Sequence, residues 1–70
     1  MIGVYQKLIG YRHMTGCIQK DFAKLIGVSV TSYQAKESGK TPFTDREKKR
    51  IREFIQTKLG KTLTIDELFF

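Results

Sequence analysis

One cysteine and one histidine stand in 70 residues, and these two scarcities remove most enzymatic chemistry at the outset. A lone Cys17 allows neither an intramolecular disulfide nor a multi-cysteine zinc site. Nothing near it would activate a thiolate, so Cys17 reads as a small core residue. A lone His13 allows neither a multi-histidine metal site nor a hydrolytic triad, and it reads as a surface or half-buried imidazole. The carboxylates are scattered and form no nucleophile–base constellation, so no catalytic residue, cofactor or metal is expected. No apolar run approaches the length that spans a bilayer. The Met1 region lacks both the long apolar core and the small-residue cleavage site of a signal peptide, so the expected compartment is the cytoplasm, with no membrane partner. Repeats, low-complexity segments and linkers are missing too, and 70 residues are expected to form one domain with a thin core. Acidic residues are also few. Seven stand against thirteen basic ones, and the resulting +6 suits a polyanionic partner or an anionic membrane surface.

What is present centres on residues 19–39, QKDFAKLIGVSVTSYQAKESG. Phe22, Ala23 and Ile26 recur with helical spacing and can bury one stripe. Gly27 can take the positive φ that ends a helix without a Cβ penalty. Ser29 then offers its hydroxyl to the free N–H groups of a second helix, and Val28 and Tyr33 are spaced for a hydrophobic staple. Helix, tight glycine turn and helix make a helix-turn-helix pattern. With Tyr33 facing inward, Glu37 falls near the same face. Thr31, Ala35 and Ser38 lie opposite, Gln34 on the flank and Val30 at the exposed first turn. That outward face carries no Leu, Ile or Phe, which suits insertion into a DNA groove. It equally suits an ordinary solvated helix, and these residues alone do not separate the two.

The flanks are patterned for helices as well. In residues 4–14, Val4, Leu8 and Tyr11 form one stripe with Gly10 as a mild weakness, and Arg12 sits beside it. Gly39 and Pro42 break the chain after the second helix and leave Lys40 and Thr41 exposed. Thr44-Asp45-Arg46-Glu47 is a capping box opening a helix to about Leu59, with Ile51, Phe54, Ile55 and Leu59 as its buried stripe. Arg46, Lys48, Lys49, Arg50 and Arg52 crowd its first half, a run found more often on a solvated face than in a binding site. Gly60 stops it. Thr64-Ile65-Asp66-Glu67, with Leu63 and Leu68 as a staple, opens a last turn before Phe69 and Phe70.

Gln19-x-x-Phe22-Ala23-x-x-Ile26-Gly27-Val28-Ser29, followed by Tyr33, Glu37, Gly39 and Lys40, resembles the Cro and lambda-repressor family of helix-turn-helix regulators. The match is collinear and extends back to Arg12 and on to the Ile65–Phe69 ending. The resemblance implies an all-α, compact five-helix lambda-repressor-like domain over residues 1–70, with the helix-turn-helix at about 19–38. It implies sequence-specific binding of double-stranded DNA at a palindromic operator by a transcriptional repressor that acts through occupancy. It also brings Arg12 and Glu37 together as a structural pair. One position departs from the pattern. A Thr, Ser or Asn commonly precedes the Gln, capping the helix and touching a phosphate, and Ile18 can do neither.

The expected DNA-binding residues are Gln19, whose amide stands at a helix start, and Val30, Thr31, Ser32, Gln34 and Ala35 on the second helix. Ser38, Lys40 and Thr41 are implied to follow the sugar–phosphate backbone. One such helix reads only a few base pairs, so a two-fold homodimer is expected at least on DNA, with half-sites roughly 34 Å apart. Its contact surface is expected at the C-terminal end, where Phe69 and Phe70 add two rings. The rival reading is a protein-interaction module on the same fold, an antitoxin or antirepressor subunit, for which the apolar Ile18 and Phe70 speak.

Overall fold

The computed structural model describes residues 5–70, and all the regular structure in them is helical. The helices are α1 (Gln6–Met14), α2 (Gln19–Ile26), α3 (Val30–Glu37), α4 (Asp45–Leu59) and α5 (Ile65–Phe69). Val4, expected on the stripe of the first helix, lies outside the described residues. Most of these boundaries have a local cause. The Ser29 hydroxyl accepts the Ser32 N–H at 3.1 Å and starts α3. Thr44 and Glu47 cap α4 reciprocally, Glu47 N–H to Thr44 Oγ1 at 3.1 Å and Thr44 N–H to Glu47 Oε1 at 3.0 Å. Thr64 and Glu67 repeat the arrangement at α5. Gly27 and Gly60 end α2 and α4 at φ of 75° and 67°, where a Cβ would be strained. Helix α2 begins on Ile18, which has no side-chain acceptor. Only the other half of a capping box is present, with the Ile18 N–H donating to Asp21 Oδ2 at 3.0 Å.

These short helices close around one core. Helix α2 packs on α3 and on α4, while α5 packs on α1 and α4. Leu8, Phe22, Tyr33, Ile51 and Ile55 are fully buried where they meet. A chain of edge-to-face rings runs through this core, from Phe54 to Phe22, Tyr33, Phe43 and Phe69, with centroids 5.1–6.1 Å apart. Each such pair contributes about 0.5–1.5 kcal/mol beyond the area it buries. Tyr5 closes the far end against both Phe43 and Phe69.

That cluster corrects the expectation of two uncovered C-terminal rings. Phe69 is 3% exposed inside the core, because α5 turns it inward onto Tyr5 and Phe43. Phe70 alone stands out, 74% exposed, with Lys48 Nζ 5.1 Å from its ring centre.

Two polar clasps bind the connections down. Gln56 Oε1 accepts the Leu63 N–H at 2.8 Å and Arg52 Nη1 at 3.1 Å, which folds the α4–α5 turn back onto α4. Lys36, the last basic residue of α3, is buried. Its ammonium lies 3.0 Å from Glu47 Oε1 and donates to the Pro42 carbonyl at 3.2 Å, so α3, the following loop and the start of α4 are tied at one point.

Candidate nucleic-acid interface

An eight-residue helix with Tyr33 and Glu37 turned inward must present its remaining side chains elsewhere, and α3 presents small and amide ones. Thr31, Ser32, Gln34 and Ser38 are exposed, as is Val30 at the first turn, while Ala35 is half-buried. Ser38 Oγ donates to the Ala35 carbonyl at 3.0 Å, leaving its lone pairs free. Ser32 spends only its backbone N–H on the Ser29 cap. The hydroxyl oxygens of Ser32 and Ser38 are therefore available to a partner, and Gln34, with one N–H given to Gln19, keeps its oxygen and its other N–H.

Beneath the face lies the most heavily hydrogen-bonded side chain among the described residues. The Glu37 carboxylate receives Arg12 Nε at 2.8 Å and Arg12 Nη2 at 3.3 Å. Tyr33 donates its hydroxyl at 2.8 Å and Gln19 its amide nitrogen at 2.7 Å. Arg12 also donates to the Cys17 carbonyl at 3.1 Å, so it fastens the α1–α2 turn to the end of α3. The side chains of the ion pair are 8% and 3% exposed. Burial, and after it the Glu37 charge, push the Tyr33 phenol well above its ordinary range, so it remains a donor. The expected pairing of Arg12 with Glu37 is present. Gln19 stands at the start of α2 as expected, and its amide is half-buried between Glu37 and Gln34, whose Nε2 donates to Gln19 Oε1 at 3.1 Å. Sequence patterning could place Gln19 at a helix start, but not show that its amide turns back toward another helix.

After α3 the chain turns at Gly39, with φ of 88°, and exposes Lys40 and Thr41. The backbone N–H groups of both return to the Ala35 carbonyl, at 2.9 and 3.3 Å, so their side chains start from a fixed base beside α3. The Lys36–Glu47 clasp holds the far end of this loop. Burial works to raise the Glu47 pKa, but the Thr44 N–H and Lys36 outweigh it and hold the carboxyl below the usual 4.5.

Tertiary structure also gathers charge that the sequence disperses. Lys24 at the end of α2 meets Arg46, Lys49 and Arg50 of α4 along one open groove, with Glu47 and Glu53 on the same walls. His13 is exposed, and Cys17 is half-buried against the core. Among the described residues no three His, Cys, Asp or Glu side chains stand close enough to hold a metal ion, and no helix is long and apolar enough to cross a membrane.

Comparison of the chain with protein-family models, with curated proteins and with solved structures finds no match.

Proposed function

We propose that this chain is a sequence-specific double-stranded DNA-binding domain of lambda-repressor-like helix-turn-helix architecture, acting in the cytoplasm as a small transcriptional repressor that occupies its operator. One observation carries this reading. The outward face of α3 offers Thr31, Ser32, Gln34 and Ser38, with Val30 at its first turn and no Leu, Ile or Phe, and it runs directly into exposed Lys40 and Thr41. Groups that can read base edges thus adjoin groups that can hold phosphates, on a chain of net charge +6. In this arrangement α3 enters the major groove. Its Thr31 hydroxyl and methyl meet base edges, Val30 and Ala35 offer apolar contact to thymine methyls, and Lys40 lies on the backbone. Glu37 and Arg12 touch no base and set the angle between α1 and α3. Two copies bind a palindrome, each reading one half-site.

Selection of bound duplexes from a random pool tests the reading. A palindromic consensus whose preference at one or two base pairs per half-site is blurred by Thr31→Ala supports it. No enrichment over the starting pool, or a Thr31→Ala protein that binds all duplexes more weakly with its preference unchanged, refutes it.

A second reading is favoured by two side chains near the start of α2. Met14 and Ile18 are each 61% exposed, and Ile18 stands where a phosphate contact would require a hydroxyl. They suit a protein-interaction module on the same fold, an antitoxin or antirepressor subunit. Ile18→Ser separates the readings: it should leave duplex selection intact if DNA is the partner.

A further inference from the structure

Gln34 is the one side chain on the exposed face of α3 whose orientation is decided from inside the protein. Glu37, engaged by the Arg12 guanidinium and the Tyr33 hydroxyl, has oxygens that only accept. Gln19 must therefore turn its amide nitrogen to Glu37, 2.7 Å away, since the reverse orientation would set two oxygens against each other. Its own oxygen then faces Gln34, and Gln34 must in turn present its nitrogen there, at 3.1 Å. Each assignment follows from the one before it, starting from a buried ion pair. Gln34 is left with its oxygen and one N–H unspent, in an orientation it cannot reverse without losing the bond to Gln19.

Resting on the DNA-binding reading above, we propose that Gln34 is a specificity-determining residue and Gln19 the positioning residue that sets its polarity through Glu37. The carbonyl oxygen is turned away from α2 with a donor beside it. That pair complements the N6 amino group and N7 of adenine in the major groove, whereas guanine offers two acceptors there and meets the oxygen with repulsion. A glutamine free to rotate could offer oxygen or nitrogen at the same point and would discriminate less.

The test compares duplex selection by the parent, Gln19→Met and Gln34→Met, with the thermal midpoint of each. The parent should prefer adenine at one base pair of each half-site by about tenfold. Gln34→Met, altering an exposed side chain, should abolish that preference at an unchanged midpoint. Gln19→Met should reduce it to about twofold while the other positions of the consensus keep theirs. A merely structural Gln19 would weaken every duplex by the same factor and leave the preferences alone. If the parent selects a consensus and Gln19→Met retains the full adenine preference, the positioning role is overturned. If Gln34→Met retains it, the reading role is overturned. If the parent selects nothing, the DNA-binding reading falls and this inference with it.

Discussion

Replacing Glu37 tests whether the buried network is structural or decorative. Four donors converge on its carboxylate, and the side chains of the Arg12–Glu37 pair are only 8% and 3% exposed. Glu37→Ala leaves the Arg12 guanidinium with the Cys17 carbonyl alone and strands the Tyr33 hydroxyl in the core. Removing one partner of a buried pair costs about 3–5 kcal/mol, because the other charge remains desolvated. A domain of this length has roughly 4–10 kcal/mol of total stability, so the variant should sit near the edge of folding. At about 4–8 °C per kcal/mol, its thermal midpoint should fall by at least about 12 °C. Circular dichroism melts of the parent, Glu37→Ala and Arg12→Ala measure this, and Glu37→Gln separates loss of charge from loss of volume. The double variant Arg12→Met/Glu37→Met should lose less than the sum of the two single losses, by at least about 1 kcal/mol, since it strands no charge. If both single alanine variants melt within about 2 °C of the parent, the pair is exposed to water in solution and the reasoning is wrong.

Four further outcomes are expected. Lys40→Ala should weaken all duplexes alike and flatten the slope of log affinity against log salt by about 0.9, measured by fluorescence anisotropy. Titration of a palindromic duplex under sedimentation should give two protomers per duplex; Phe70→Ser should lower the cooperativity without changing the melt, whereas Phe69→Ser should destabilise by about 3 kcal/mol or more, because that ring is in the core. Glu47 titrates below 4.5 when folded, so its contribution is complete above that value and is lost as pH falls through the folded pKa; urea titrations below pH 4.5 should show the parent losing stability more steeply than Glu47→Gln. Gly10→Ala should stabilise by about 0.5–1 kcal/mol in the same titration at neutral pH, since the position is helical, exposed and open around a new Cβ.

The sequence by itself determined where α3, α4 and α5 begin and where α2 and α4 end. Ser29, Thr44–Glu47, Gly27, Gly60 and Thr64–Glu67 act on backbone groups three or four residues away, and that range is short enough to be read directly. It determined the exposed character of α3 for the same reason, since Tyr33 and Glu37 are one helical turn apart and fix which face is left over. The Arg12–Glu37 pair was legible only through the resemblance of the pattern, because 25 residues separate its members. Tertiary structure alone decided the rest. Phe69 and Phe70 are neighbours of identical type, and only the docking of α5 against α1 and α4 buries one and leaves the other in water. Lys36 is buried only because the loop after α3 brings the Pro42 carbonyl and Glu47 to its ammonium. The pattern put the Gln19 amide at a helix start, and the packing of α2 on α3 set Glu37 on one side of it and Gln34 on the other. A hydrogen bond requires its two atoms within about 3 Å, and for side chains on different helices that distance is set by how the helices pack.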